Sequence, residues 1–135
     1  MRRVAFASHG NLCIGLKDSV DLISGKAVEI ETIAAFTDDI PLEQKVAAFF
    51  STVTEGEEVL VFTDLLGGSV NRAFLPYAER TGVFVVTGMF LGLVLETILL
   101  PEPLTTASIE AAIERAKAGV TGMWNIHALA SDDDE

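Results

Sequence analysis

The chain has 135 residues, a formal net charge of −11 and a composition that is half hydrophobic. That length suits a single domain with an ordinary core. The acidic balance excludes the usual nucleic-acid-binding classes and disfavours an anionic membrane surface, since both attract basic proteins. Cys13 is the one cysteine, which excludes an internal disulfide framework.

The sequence predicts no targeting or membrane-spanning segment. Residues 1–3 lead directly into a strand-like run, unlike a secretory signal. The longest uncharged apolar stretch, 81–95, is shorter than the roughly 20 residues of a bilayer helix. These features predict a cytoplasmic protein that is not inserted in a membrane. The acidic residues 132–135 predict a solvated, disordered tail over residues 128–135.

The first half of the chain alternates strand-like and helix-like segments. Apolar patterning predicts a strand over residues 4–7 and a second strand over 30–36. A helix that ends at Gly25 lies between them, with its apolar residues on one face: Leu12, Leu16, Val20 and Ile23. Pro41 fits the first turn of a second helix. The apolar face of that helix carries Leu42, Val46, Phe49 and Val53.

The second half continues the alternation. Its predicted elements are a strand over 59–62, a loop over 63–69, a strand over 83–86, a helix over 91–99 and a terminal strand over 123–126. Ser69 is expected to cap a short helix after the loop. Pro101 and Pro103 mark a candidate hinge at 101–106, and the last helix is expected to end near Gly119.

Strands that are apolar throughout and alternate with helices predict a mostly parallel sheet covered on both faces. The expected fold is α/β, with three α/β/α layers and a four-stranded sheet. The segment beyond the candidate hinge is too short to fold alone. Residues 1–127 are therefore predicted to form one domain.

Two reactive residues follow predicted strands, and the carboxyl ends of parallel strands share one edge of a sheet. His9 follows the first strand and Asp64 follows the third. A neutral histidine ring offers a nucleophilic nitrogen, and a carboxylate on its other nitrogen fixes the tautomer. The pair predicts a catalytic histidine, His9, oriented by Asp64. Taken alone, a histidine after a strand is more often a helix cap or a partly buried polar residue.

The residues around this pair predict an anion-binding turn. Gly67 and Gly68 let the backbone bend close to an anion, and Ser69 adds a hydroxyl at the start of a helix. Gly10 leaves the approach to the histidine ring uncrowded, and Leu65 completes the predicted phosphate-binding set. A lone Gly-Gly-Ser turn is common, so the prediction depends on its place beside the histidine and the aspartate.

The sequence predicts no cofactor. No spacing of cysteine and histidine resembles a metal site. Neither a GxGxxG nor a Walker A motif is present, so nucleotide binding by those routes is unsupported.

Together, the two motifs resemble a known family. Residues 4–10 read VAFASHG before an amphipathic helix, and residues 62–69 read FTDLLGGS. This combination resembles the IIA component of the mannose family of the bacterial sugar phosphotransferase system. The resemblance extends over residues 2–100, and more loosely to 127.

The resemblance implies a phosphotransferase that carries a phosphoryl group on a histidine. The carrier protein HPr would donate to Nε2 of His9, with Asp64 holding Nδ1–H, and a IIB component would accept the group for transfer to a sugar. Association with membrane IIC and IID components is implied as well. Family members form homodimers by exchanging the C-terminal strand, which is the predicted strand 123–126 here.

The chain departs from the family pattern at three positions. Val70 stands where many members have proline, and Phe90 and Gly92 occupy positions that are usually Asn and Pro. The lining of the pocket and the identity of the IIB partner therefore stay open. Two alternatives are kept: the phosphoryl-donor subunit of a dihydroxyacetone kinase, whose usual loop is Asp-Leu-Gly-Ser, and a non-catalytic regulatory module of the same fold.

Overall fold

A computed structural model describes residues 1–125 of the chain. The strands are β1 (Arg2–His9), β2 (Ile30–Ala35), β3 (Glu58–Thr63) and β4 (Val83–Thr87). The helices are α1 (Leu12–Ser24), α2 (Leu42–Ser51), α3 (Ser69–Arg72), α4 (Leu91–Thr97) and α5 (Thr106–Lys117). A 3-10 turn at Met123–Asn125 follows α5. Within residues 1–125, no helix is both long and apolar enough to cross a membrane.

The four strands form one sheet in the order β2-β1-β3-β4, and every neighbouring pair is parallel. Side chains of successive strand residues point to opposite faces. In β1, Val4 and Phe6 belong to one core cluster, together with residues of α1, α4 and α5. Ala5 and Ala7 belong to a second cluster, with residues of α2 and α3. The predicted three-layer α/β/α architecture is therefore confirmed.

Two local predictions are wrong, and a third differs in the single chain. The second strand ends at Ala35 rather than at residue 36, because Phe36 has a positive φ of 65° that leaves the extended conformation. Ser69 is the first residue of α3 and makes no capping bond, since Gly68 holds the cap position. In the single described chain, residues 123–125 of the predicted terminal strand form a 3-10 turn, and the predicted pairing with a second copy stays a prediction. Residue 126 and the predicted tail over 128–135 lie outside the described residues.

A partly buried ion pair connects the segment between α4 and α5 to the amino end of the sheet. The Arg2 guanidinium donates to Glu58 at 3.2 Å and to the Ile98 carbonyl at 3.1 Å. The other carboxylate oxygen of Glu58 accepts the N–H of Leu104, a buried residue of the candidate hinge 101–106. The pair thus holds the segment that leads into α5.

We expect Arg2→Met to lower the free energy of unfolding by about 3 kcal/mol, because it leaves the Glu58 carboxylate buried without its cation. The measurement is urea unfolding followed by circular dichroism. Arg115→Met is the matched control, since Arg115 pairs with Glu96 at 2.9 Å on the surface, where ion pairs contribute little. Equal losses in the two variants would contradict a structural role for the Arg2 pair.

Candidate active site

The site lies at the carboxyl edge of the sheet, where the neighbouring strands β1 and β3 end. Ala7 pairs with Thr63 across these strands, so the residues that follow them meet at the edge. His9 is the last residue of β1, and Asp64 comes directly after β3. Both loops turn away from the sheet at this point, and their side chains converge. The strand order therefore produces the predicted meeting of histidine and aspartate.

Asp64 holds His9 through both its backbone and its ring. Its Oδ2 accepts the backbone N–H of His9 at 2.7 Å and lies 2.7 Å from Nδ1 of the ring. Its Oδ1 accepts the N–H of Leu65 at 2.9 Å. The carboxylate is 8 % exposed, whereas the imidazole is 41 % exposed. Asp64 therefore fixes the Nδ1 side of the ring, and much of the rest of the ring is open to solvent.

These contacts decide the charge of the carboxyl and the tautomer of the ring. Burial would raise the pKa of Asp64, but hydrogen bonds from the His9 N–H, the His9 ring and the Leu65 N–H lower it overall. An ionised carboxylate only accepts hydrogen bonds, so Nδ1 carries the proton. Nε2 of the neutral ring then keeps its lone pair.

Ser69 faces that lone pair. Its hydroxyl lies 3.1 Å from Nε2 of His9, so the oxygen donates to the unprotonated nitrogen. Ser69 belongs to the first turn of α3, where it does not form the predicted cap, and its hydroxyl lies beside His9. A group attached to Nε2 would therefore meet a hydroxyl donor at once.

The other predicted phosphate-binding residues shape the site, and their N–H groups are already engaged. Gly10 donates to the carbonyl of Ala35 at 2.9 Å, and Gly68 donates to the carbonyl of Leu65 at 3.1 Å. Gly10 has a φ of +64°, which favours glycine where the chain leaves β1. A Cβ added to Gly68 would lie 3.6 Å from Cε1 of the His9 ring and would crowd the loop backbone. The phosphate-binding role of these residues stays a prediction.

Asn71 was missed by the sequence analysis. Its Oδ1 accepts the N–H of Gly67 at 3.0 Å, and its Nδ2 donates to the hydroxyl of the buried Thr63 at 3.0 Å. The side chain therefore ties together the two ends of the loop that contains Asp64. An asparagine four residues after a glycine turn is a usual partner for backbone N–H groups, and that spacing was the available signal.

Phe36 was missed as well. It follows β2 with a left-handed backbone, and its ring centroid lies 5.6 Å from that of His9. Two departures from the family pattern, Phe90 and Gly92, lie close together. A Cβ at Gly92 would lie 3.1 Å from the Phe90 ring, so a larger residue at position 92 would crowd the phenylalanine. Within residues 1–125, no group of three His, Cys, Asp or Glu residues could hold a metal ion.

Comparisons with known proteins identify the family of the chain. Residues 4–117 match the EIIA-man family model, the PTS system fructose IIA component. The chain therefore belongs to the mannose/fructose IIA family of the sugar phosphotransferase system. The comparison with curated proteins gives no match.

Solved structures share the fold. A protein from Klebsiella pneumoniae, described as a candidate phosphoenolpyruvate-dependent sugar phosphotransferase system permease, is 33% identical with a TM-score of 0.83, and the match covers 90% of each chain. The mannose/sorbose-specific IIA subunit from Enterococcus faecalis is 20% identical with a TM-score of 0.76, over 90% of this chain and 94% of its own. A IIA protein associated with the fucose utilization operon of Streptococcus pneumoniae is 22% identical with a TM-score of 0.76, over 92% and 94%.

Proposed function

We propose that this IIA component carries a phosphoryl group on Nε2 of His9, taking it from phospho-HPr and passing it to a IIB component for sugar uptake. One observation carries the proposal. At an exposed edge of the sheet, an ionised carboxylate lies 2.7 Å from Nδ1 of His9 and a hydroxyl lies 3.1 Å from Nε2. A non-catalytic module of the same fold has no use for this arrangement.

The chemistry is an in-line displacement at phosphorus. The Nε2 lone pair of His9 attacks the phosphorus of the donor phosphohistidine, the new N–P bond forms, and the bond to the donor nitrogen breaks. The donor imidazole leaves with the electron pair of that bond. Because Nδ1 keeps its proton, the His9 ring becomes positively charged, and the Asp64 carboxylate beside it stabilises that charge. The transfer to IIB is the same step with His9 as the leaving ring.

Ser69 is the proposed principal donor to the phosphoryl group. Once Nε2 is bonded to phosphorus, the Ser69 hydroxyl loses its acceptor there and can turn to a phosphoryl oxygen. Gly10, Leu65, Gly67 and Gly68 contribute by shaping the loops around that oxygen, because their N–H groups already have acceptors. No metal or nucleotide takes part in this scheme.

Phosphorylation of the intact chain tests the proposal. We expect incubation with phosphoenolpyruvate, enzyme I and HPr to give an acid-labile, alkali-stable phosphoryl adduct, seen by mass spectrometry of the intact protein. Adding a IIB component should then remove the label, whereas a dihydroxyacetone kinase subunit should not. Omitting HPr is the control. A protein that takes no label from phospho-HPr would exclude the carrier function.

The proposal includes the cellular setting and the extent of the domain. We place the protein in the cytoplasm, with residues 1–127 as one phosphocarrier domain, because HPr delivers its phosphoryl group there. Association with IIC and IID components would bring the carrier to the membrane. The large net negative charge of the chain suits a basic docking face on its partners.

The homodimer by strand exchange is also a proposal. β4 is an edge strand, so the outer hydrogen-bonding groups of its backbone have no strand partner in the described chain. A groove of about 560 Å³ runs along β4 and is closed on its other side by Thr106, Ile109 and Ile113 of α5. The exposed side chains of Met123 and Trp124 lie just before the end of the described chain. A second copy's C-terminal segment fits this edge.

Truncation after Lys117 should therefore give a monomer in multi-angle light scattering, because it removes the exchanged segment. Truncation after residue 127 is the matched control, since it removes only the acidic tail, and we expect it to stay dimeric. A dimer that survives truncation after Lys117 would place the interface elsewhere.

A further inference from the structure

Phe36 has a backbone conformation that its residue type disfavours. Its φ of 65° lies in the left-handed region, where a bulky side chain without hydrogen-bonding groups is a rare outlier. Its side chain is 64 % exposed, so burial in the core does not explain the residue. A glycine would make the same turn without strain. The aromatic ring is therefore present despite the local backbone preference.

The backbone on both sides of Phe36 is held firmly. The carbonyl of Ala34 accepts the hydroxyl of Thr37 at 3.0 Å and the ammonium of Lys45 at 2.9 Å. The carbonyl of Ala35 accepts the N–H of Gly10 at 2.9 Å, which ties the turn to the loop after His9. Strained residues that persist under such constraint are typical of functional sites.

The constraint places the ring against the candidate nucleophile. The centroids of the Phe36 and His9 rings are 5.6 Å apart and the ring planes meet at 44°, within the range of interacting aromatic pairs. Asp64 holds Nδ1 of His9 and Ser69 faces Nε2, but neither contact covers a face of the ring. Phe36 supplies the remaining contact that limits how the imidazole can tilt.

We propose that Phe36 is a positioning residue for phosphoryl transfer, which packs on the His9 ring and keeps Nε2 in line with the incoming phosphorus. This inference rests on the proposed carrier function.

Phe36→Gly separates this role from a structural one. We expect the variant to be at least as stable as the wild type in urea unfolding, because glycine accepts the left-handed turn. We also expect the rate of His9 phosphorylation at saturating phospho-HPr to fall by about tenfold, the upper range for loss of an aromatic pair, with the KM for phospho-HPr unchanged. Rapid-quench kinetics gives both constants. If Phe36 served only to stabilise the fold, Phe36→Gly would lower the free energy of unfolding.

Two further variants complete the test. Lys26 is the other non-glycine residue with positive φ in the described chain, at 60°, and it precedes β2 at the opposite end of the sheet. Lys26→Gly makes the same backbone change away from the site, so its transfer rate should match the wild type. Phe36→Trp keeps an aromatic ring and should restore most of the rate that Phe36→Gly loses.

Several outcomes would overturn the proposal. A raised KM with an unchanged maximal rate would make Phe36 a contact for the partner and not a positioning residue. An unchanged rate constant would remove its role in transfer. Proton NMR of the His9 ring signals tests the contact without any phosphoryl donor, since Phe36→Gly should remove a ring-current shift. Unchanged ring signals would refute the contact, whereas a wild type that takes no label refutes the proposed function.

Discussion

His9→Ala is expected to take no phosphoryl label from phospho-HPr while its fold and unfolding midpoint stay close to those of the wild type. The variant removes the nitrogen that the geometry of residues 1–125 presents as a nucleophile. The fold should survive because the His9 side chain is largely outside the core and the backbone N–H of residue 9 still donates to Asp64. The measurements are intact-protein mass spectrometry and circular dichroism.

The chain offers a matched control for this substitution, since it contains two histidines. His127→Ala should label as fully as the wild type. Mapping the adduct by tandem mass spectrometry under alkaline conditions should place it on residue 9. Full labelling of His9→Ala, or an adduct mapped to His127, would exclude the proposed phosphorylation site.

Asp64→Asn is expected to slow transfer by about a hundredfold, similar to the loss of a preorganised electrostatic contact in other enzymes. The amide has the size of the carboxylate but no charge, so it cannot stabilise the positive ring that forms when Nε2 binds phosphorus. Its NH₂ group also donates rather than accepts. It can therefore satisfy the His9 ring, the His9 N–H and the Leu65 N–H only in part.

Rapid-quench phosphorylation at saturating phospho-HPr measures this effect. Asp38→Asn is the control, because Asp38 lies at the same edge of the sheet and bonds to Lys45 at 2.9 Å, away from His9. We expect that variant to transfer at the wild-type rate. If Asp64→Asn transferred as fast as Asp38→Asn, Asp64 would have no role in transfer and would serve only the turn.

The sequence predicted the sheet well because its strands are apolar on both faces. In β3, Val59 and Val61 face one core and Leu60 and Phe62 face the other. The strand is therefore a continuous apolar run, without the alternation of apolar and polar residues that marks a strand exposed on one face. The convergence of His9 and Asp64 followed from a general property of parallel sheets. Their direct contact required β1 and β3 to be neighbours, which the order of segments along the chain does not reveal.

What the sequence did not predict depends on side-chain direction and on the sign of φ. Ser69 was predicted as a helix cap and as a phosphate donor, but its direct contact with Nε2 of the unphosphorylated His9 depends on the three-dimensional path of its loop. Asn71 acts through two bonds to loop residues. Phe36 fits a strand pattern, and no propensity predicts a left-handed phenylalanine. The predicted exchanged strand depended on the resemblance alone, and a single described chain holds no second subunit.

The two contacts of Asp64 with His9 also have a consequence for the order in which partners bind under the proposed carrier function. One carboxylate oxygen holds both the backbone N–H and the ring, so the imidazole keeps one position and does not rotate between two partners. If the proposed carrier function holds, HPr and IIB bind in turn at the same exposed side of the His9 ring, and each dissociates before the other binds. The kinetics would then be ping-pong, with dephosphorylated HPr competing with IIB for the same surface. The rate of partner exchange would set the upper limit on the rate of sugar uptake.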